Sequence, residues 1–399
     1  MQLDVPDLSQ LSDLSGKRVL VRADYNVPVD KESGAITDDT RIRAGLGTLR
    51  KILAAGGLPV VLVHFGRPKG EVVESLRVGV IGARLQELLG SPVMTLKEST
   101  GAAVEEAVAS APKGTTVLCE NVRFHAGETK GDPELAKAFA RLGDVFVGDA
   151  FGAAHRDHAS VSGAARLLPS AAGELLAAEC RAFSKVLTDP ERPLVAILGG
   201  AKVSDKLTVI DSLLDRCDAL LVGGGMAYTF LKVLGKTVGA SLVEEDRLAM
   251  CEAALAKAKS KGVDLLLPVD HVVADRFAAD ATTSVCDVDI PDGLMALDIG
   301  PKTQALYADR VGSAKTVIWN GPMGVFEMEA FRRGTESVGR ALAACSGTTV
   351  VGGGDSVAAI HLLGLADQVD HVSTGGGASL ELLEGKTLPG IEALQEPAG

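Results

Sequence analysis

Five apolar runs in the second half of the chain each close on a glycine cluster: VAILGGAK (195–202), ALLVGGGM (219–226), TVIWNGPMG (316–324), TTVVGGGD (348–355) and HVSTGGGAS (371–379). The pattern reads as a nucleotide site written as strand ends, because backbone N–H groups freed by glycine suit phosphates. Four runs in the first half end instead in charged or polar residues: RVLVRADYN (18–26), PVVLVHFGR (59–67), TVLCENVRF (116–124) and VFVGDAFGAAHR (145–156). Guanidinium forks suit a small dianionic partner. One half offers backbone and the other arginine, a pairing that points to phosphoryl transfer between two lobes.

A chain of 399 residues exceeds the usual size of one hydrophobic core, so two domains are expected. Apolar residues make up 46% of it and the mean hydropathy is +0.22, ample for both cores. With 40 basic against 52 acidic residues the net charge is -12, which argues against broad binding to nucleic acid or an anionic membrane. Any anion site must then be local. Cys119, Cys180, Cys217, Cys251, Cys286 and Cys345 are dispersed without a C-x-x-C pair, as expected of free thiols in a reducing cytosol. The start, MQLDVPDLSQ, is acidic and lacks a leader-like apolar core, and no apolar stretch reaches membrane-spanning length. The expectation is a cytoplasmic, monomeric protein.

Helical patterns alternate with the apolar runs at 40–55, 78–89, 133–142, 204–216, 245–261, 302–311 and 330–344, which reads as parallel α/β. Asp132 before Pro133 is an N-cap followed by proline at the first helical position. The Ala/Leu/Glu-rich segment 170–187 reads as a connecting helix and sets the expected division: a first domain over 1–169, a hinge helix over 170–187 and a second domain over 188–384. The tail 385–399, with Pro389 and Pro397, is too short to be a domain. In an open parallel sheet, ligands sit beyond the carboxyl ends of the strands, where both sets of special residues lie.

The common nucleotide signatures are missing. GKT occurs at 235–237 and 385–387, but Phe230 and Leu380 stand where a Walker A loop needs its upstream glycine. There is no G-x-G-x-x-G. The HRD at 155–157 has Ser162 where a protein kinase has asparagine. Lys202 and Lys206, four apart, are expected on one face of a helix whose N-terminus points at phosphate, the alternative being two solvated lysines. Asp355 opens a predicted helix, so it either caps that helix or holds Mg²⁺. Arg22, Arg67, Arg123 and Arg156 fall at or just beyond first-half strands and Arg41 at the start of a helix, the alternative for each taken singly being a solvated or ion-paired arginine. Such a cluster repels itself unless anions fill it, and a phosphate plus a carboxylate is its natural occupant. Asp24 and Asn26 suit a substrate hydroxyl, and His64 sits with them or is a satisfied structural histidine.

RADYNVP, HFGRP, ENVRF, DAFGAAHRDHAS, LGGAKVSDK, GGGMAYTF, WNGPMGVFE, GGGDS and STGGGAS resemble, in order and over essentially the whole chain, the motif blocks of the phosphoglycerate kinase family. The departures are Phe65, where leucine is common, and Ser356, where threonine is common and a hydroxyl is kept. The resemblance implies two Rossmann-like lobes, each a parallel sheet flanked by helices, with the C-terminal tail packed on the first. It implies transfer between 1,3-bisphosphoglycerate with MgADP and 3-phosphoglycerate with MgATP. Carried over by motif, Asp24, Asn26, Arg41, His64, Arg67, Arg123 and Arg156 are implied to hold the glycerate. Lys202, Lys206, Gly223, Gly224, Gly225, Asn320, Glu327, Gly353, Gly354, Asp355 and Ser356 are implied to hold the nucleotide, with Glu327 on the ribose, Asp355 on Mg²⁺, and Arg41 and Lys202 on the transferring group.

A carboxylate nucleophile with a pKa of about 3.5 is ionised at neutral pH, so no general base is needed, in keeping with the absence of a base motif. Catalysis then reduces to electrostatics and positioning after hinge closure. The rivals are an NAD-dependent oxidoreductase, disfavoured by the missing fingerprint glycines, and a non-catalytic nucleotide-binding scaffold, disfavoured by retention of both lysines and all five arginines.

Overall fold

The computed structural model describes residues 3–11 and 13–396; Met1, Gln2 and Ser12, and 397–399 of the expected tail with Pro397, lie outside the described residues. The chain divides into two compact units, Leu3–Arg181 together with the chain from Thr387, and Ala182–Lys386.

In the first unit, strands alternate with helices in the order β1 (Arg18–Ala23), α1 (Thr40–Ala44), α2 (Leu46–Ala54), β2 (Leu58–Leu62), α3 (Gly79–Leu89), β3 (Val93–Thr95), α4 (Ala102–Ala109), β4 (Thr116–Leu118), α5 (Pro133–Ala140), β5 (Val145–Asp149) and β6 (Ser170–Ala172). The strands form one parallel sheet ordered β3-β4-β2-β1-β5-β6. Helices cover it, so β1, β2 and β5 are apolar on both faces, and Val19, Val21, Val61, Val63 and Val147 are sealed in the core. The expected helix over 40–55 is two helices. They meet at Gly45, where a Cβ would stand 2.9 Å from the buried Tyr25 ring, so the chain turns at the one residue that fits.

The helix α6 (Glu174–Leu187) spans the division, and the second unit continues with β7 (Leu194–Leu198), α7 (Leu207–Leu214), β8 (Ala219–Val222), α8 (Met226–Val233), α9 (Leu248–Lys261), β9 (Asp264–Leu266), β10 (Asp270–Ala274), β11 (Thr283–Asp287), β12 (Met295–Ile299), α10 (Pro301–Gly312), β13 (Thr316–Asn320), α11 (Arg333–Ala344), β14 (Thr348–Gly352), α12 (Gly354–Leu362), β15 (His371–Val372) and α13 (Gly376–Leu383); α14 (Pro389–Gln395) belongs to the first unit. Its main sheet is again parallel, ordered β15-β14-β13-β7-β8-β9. A small antiparallel sheet, β11-β10-β12, stands beside it and has no counterpart in the sequence reading. Trp319 of β13 is fully buried at the core centre and donates its indole N–H to the Gly321 carbonyl at 2.7 Å.

The segment 170–187 is not one helix. Ser170–Ala172 pairs with β5 as the edge strand β6, and Gly173 intervenes because a Cβ there would lie 2.3 Å from an Asp149 oxygen. That carboxylate then accepts from the N–H groups of Leu175 and Leu176 at 3.0 and 3.3 Å, capping α6 from a neighbouring strand, while the Thr48 hydroxyl oxygen accepts from Glu174 N at 2.8 Å. The division between units accordingly falls inside α6, after Arg181, rather than at its two ends. In the tail, Gly390 N donates to the Ala154 carbonyl at 2.8 Å, and a Cβ at Gly390 would meet Val161 at 2.9 Å, which places α14 against the first unit's sheet edge.

Burial pushes the Asp149 carboxyl up to about 7. A folded-state value above that of the unfolded chain gives stability that is complete at acid pH and is lost as pH rises through about 7. Asp149→Asn keeps the acceptor for α6 and cannot ionise. Relative to wild type it is expected to gain about 2 to 3 kcal/mol between about pH 5 and about pH 8. Urea unfolding at both pH values checks this, and parallel curves for the two proteins would show Asp149 ionisation to be unlinked to folding.

Candidate functional site

Parallel pairing puts the carboxyl ends of every strand in a sheet along one edge, and the candidate residues of each unit gather there. In the first unit Arg22 ends β1 inside the protein, 1% exposed, and Asp24 and Asn26 follow it. Arg41, at the start of α1, donates to Asp24 at 2.5 Å. Asn26 accepts from Gly66 N at 2.9 Å, and Arg123 donates to the Gly66 carbonyl at 2.8 Å, so the loop after β2 is tied to the loops after β1 and β4. His64 is buried between them, its Nδ1 4.0 Å from Asp24. Arg67 and Arg156 are exposed and line, with Arg123, a pocket of about 530 Å³.

The electrostatics of this surface are unbalanced toward cation. Burial, with repulsion from Arg22 and Arg156, pushes the Arg123 guanidinium down to about 10. Burial first, then Arg22, Arg123, Arg41 and Arg156, hold His64 well below the ordinary imidazole range, so the ring is neutral at physiological pH. One carboxylate behind the surface offsets the charge. Glu128 is fully buried, and although burial pushes its pKa up, His158, Arg22 and Ser160 together hold it below the ordinary value. Sequence reasoning missed Glu128, which sits in no motif, and Lys69, His125, Thr129 and Lys130, which also line the pocket. Lys69, at φ 60°, is held in the left-handed region, a backbone feature the sequence does not signal. Asn121 of ENVRF was readable but unassigned; its side chain bonds Phe65 N and O and the Leu76 carbonyl, pinning the β2 and β4 loops together.

In the second unit most of the glycines serve the packing of loop on loop. A Cβ at Gly199 would lie 2.0 Å from the Pro322 carbonyl oxygen, at Gly224 2.6 Å from that of Gly200, and at Gly225 2.6 Å from that of Ala201. The N–H groups of Gly223 and Gly224 go to the carbonyls of Leu198 and Met323, and that of Met226, opening α8, to Gly200. Those amides are therefore engaged within the protein, unlike the free donors expected. The N-termini of α12 and α13 differ: neither has a side-chain cap, and a Cβ at Gly376 would be 3.3 Å from Gly354 N, so the two helix starts adjoin. Gly354 faces open space. Two adjoining helix N-termini form an anion seat of peptide dipoles.

Lys206 donates to Asn320 Oδ1, and burial pushes its amine down to about 8 against the pull of Asp355. The other polar atom of Asn320, Nδ2, is sealed without a partner, a donor held toward the same place. Lys202 is exposed. The two lysines do not share a helix face: α7 begins only at Leu207, because Gly200, at φ 118°, turns the chain and Glu244 binds the Ser204 N–H and hydroxyl in a preceding loop. Asp355 does not cap α12; its carboxylate is exposed at the helix start. Ser356 is buried with its hydroxyl oxygen accepting from Gly321 N at 2.5 Å, a structural tie between the β13 and β14 loops. Glu327 is exposed on the loop after β13, which Arg332 fixes by donating to the Phe326 carbonyl at 2.7 Å. Among the described residues no three His, Cys, Asp or Glu side chains cluster as metal ligands. A lone exposed Asp355 beside a phosphate seat nonetheless fits a magnesium ion that arrives on nucleotide phosphates and takes one or two protein carboxylates.

Two parallel sheets, one edged with guanidinium groups and the other with helix N-termini and lysine, define an α/β phosphotransferase. The comparisons with known proteins carry this further. The phosphoglycerate kinase family profile matches residues 8–386. The phosphoglycerate kinases of Synechococcus elongatus and Moorella thermoacetica are each 54% identical, over 97% and 96% of this chain and 97% and 98% of theirs. The structure of the Coxiella burnetii phosphoglycerate kinase superposes with a TM-score of 0.91 at 41% identity, covering 99% of this chain and 100% of that one, and that of Pyrococcus horikoshii with 0.83 at 31% identity, covering 98% of each. The chain belongs to the phosphoglycerate kinase family. Its activity is reversible phosphoryl transfer between 1,3-bisphosphoglycerate and MgADP, with a carboxyl group as acceptor in the ATP-consuming direction.

Loop-on-loop packing makes Gly321 a sensitive test of the nucleotide-side frame. Its φ is 104° and a Cβ would stand 2.1 Å from the Gly199 carbonyl oxygen. Gly321→Ala is expected to cost about 3 kcal/mol, from backbone strain and overpacking combined. Guanidinium unfolding checks it, and a loss below about 0.5 kcal/mol would mean that the loops separate freely.

Proposed function

We propose that the first unit binds 3-phosphoglycerate and its acyl phosphate through Asp24, Asn26, Arg41, His64, Arg67, Arg123 and Arg156. The observation that carries this is the uncompensated cation excess at one strand edge, with Arg123 pushed down to about 10 and His64 kept neutral. Arg67, Arg123 and Arg156 take the distal phosphate, since bidentate guanidinium contacts match its geometry. Asp24 accepts from the substrate hydroxyl. Arg41, half-exposed and swung onto Asp24 in the free protein, moves to the carboxyl end, where charge develops on the transferring group.

The nucleotide occupies the second unit. Its phosphates lie against the adjoining starts of α12 and α13, at Gly353, Gly354 and Asp355, with Lys206 and Lys202 as cations and Asn320 Nδ2 as a donor. Gly223, Gly224 and Gly225 shape the nucleotide bed through their bulk-free backbone, Ser356 holds the bed in place, and Glu327 reaches the ribose. Asp355 holds magnesium, which supplies charge neutralisation on the polyphosphate when bound. The acceptor carboxylate is already ionised, so these residues orient and neutralise without removing a proton. Reacting atoms must approach within roughly 3 to 3.5 Å, so ligands held on separate units react only when both are brought within that range. We place the enzyme in the cytoplasm as a monomer acting on small molecules, with no nucleic-acid or membrane partner. Its -12 charge and unpaired cysteines support that reading, and no helix among the described residues is long and apolar enough to cross a membrane.

A coupled assay with 3-phosphoglycerate and MgATP tests the whole. Within it, Arg41→Ala is expected to lower kcat about a hundredfold or more while leaving nucleotide affinity nearly unchanged, the signature of a contact made in the transition state. An unaltered kcat would remove Arg41 from the mechanism. Asp355→Ala is expected to weaken MgADP binding about tenfold and to spare 3-phosphoglycerate. Titration calorimetry with each ligand separates the two, and normal MgADP affinity would displace Asp355 from its role.

A further inference from the structure

Arg22 lies at the end of β1 with no solvent around it, 1% exposed, and three of its N–H groups have partners in the protein. Nε donates to Ser160 Oγ at 2.8 Å, Nη1 to the Ala23 carbonyl at 2.5 Å, and Nη2 stands 3.2 Å from His64 Nδ1. A guanidinium group carries donors only. His64 Nδ1 must therefore accept, which means that it bears a lone pair and that the proton of the neutral ring is on Nε2. Ser160 gives its own hydroxyl hydrogen to Glu128 Oε1 at 2.6 Å and receives Glu128 Oε2 on its backbone N–H at 3.0 Å. Its oxygen is thereby left to accept from Arg22. Donation runs outward from Arg22, to His64 on one side and through Ser160 on the other, and the buried Glu128 carboxylate anchors the Ser160 end.

We propose that Arg22, buttressed by Ser160 and Glu128, is a positioning residue that locks His64 in its Nε2–H tautomer, so that the ring offers a hydrogen-bond donor to the anionic substrate. Among the described residues Nε2 has no partner, and it is not among the sealed polar atoms, so it is the nitrogen available to a ligand. The groups facing the ring are Arg22 from β1, Asp24 from the loop after it, Arg41 from α1, Arg123 from the loop after β4 and Arg156 from the loop after β5. Four cations against one carboxylate disfavour a second proton on the ring. A neutral ring in the opposite tautomer would set Nδ1–H against the Arg22 N–H and present a lone pair to an anion. That is repulsive at both ends. The inference rests on the proposed assignment of His64 to the substrate surface and goes beyond it by naming which nitrogen acts and what holds it.

The full-length enzyme labelled with nitrogen-15 histidine tests this directly. Seven histidines are resolvable in long-range proton–nitrogen correlation spectra, and His64→Gln assigns the signal. The expected result near neutral pH is a bare Nδ1 and a protonated Nε2, with Nε2 shifting when 3-phosphoglycerate is added. In kinetics, Arg22→Met is expected to raise KM for 3-phosphoglycerate about tenfold or more and leave KM for ATP within about twofold, with partial rescue in Arg22→Lys. Should Arg22→Met fail to fold, Ser160→Ala carries the test: loss of the anchor mixes the two His64 tautomers and raises the same KM. A reversed tautomer in the wild type, or a single unchanged tautomer in the folded variants, overturns the proposal. A correct tautomer whose Nε2 ignores 3-phosphoglycerate overturns instead the assignment of His64 to the substrate surface.

Discussion

Repulsion between cations crowded at one strand edge, one of them, Arg22, fully buried, is the constraint around which the first unit is built. Burial and the neighbouring Arg22 and Arg156 push the Arg123 guanidinium down, and His64 is kept neutral by burial and the same field. Such a group is tolerable in the free protein only because Glu128 stands behind it and Asp24 before it, and because the pocket in front stays open to water. The geometry answers to an anion: at the pocket wall the Arg123 guanidinium is oriented by the Gly66 carbonyl, its backbone N–H is held by Asn121, and it keeps donors to give. A buried charge left unpaired is costly, so binding a dianion relieves a penalty already present in the fold.

The second unit solves the complementary problem with backbone. Its glycine loops approach so closely that carbonyl oxygens occupy the places where side chains would begin, as at Gly199, Gly224 and Gly321. This packing brings the ends of β7, β8 and β13 into one compact floor and leaves α12 and α13 with uncapped, adjoining N-termini above it. Lys206 and Asn320 are held together at the margin of that floor, the amine partly desolvated and so a stronger electrostatic partner for phosphate. The division of labour, guanidinium on one unit and amide dipole on the other, follows from what we propose each holds: a small rigid acid in one case and a long flexible polyphosphate in the other.

Much of this was legible in the chain itself. Alternating apolar runs and helical patterns gave parallel α/β order correctly, because strands covered on both faces must be apolar throughout. The motif blocks pointed to the family. Where the reading failed, a contact distant in sequence overrode a local pattern. Ser170–Ala172 has the composition of a helix but is drawn into β6 by the open edge of β5. The run through Lys202 looks helical by spacing, yet Gly200 and the Glu244 contact keep it in a loop. Gly223 and Gly224 suggested free amides, and the carbonyls of Leu198 and Met323 take them.

Periodicity and glycine placement, both local properties, thus determined that two parallel sheets would form and at which edge of each the candidate residues would gather, since the direction of a strand and the end at which it stops are written along the chain. Which atoms face a ligand was decided only by tertiary structure. Glu128 sits in no motif, yet it is more than a hundred residues from Arg22 in sequence and controls it through Ser160. The protonated nitrogen of His64 depends on that same assembly. A residue's hydrogen-bond direction and charge are set by neighbours that the fold alone brings together, and no spacing rule along the chain encodes them.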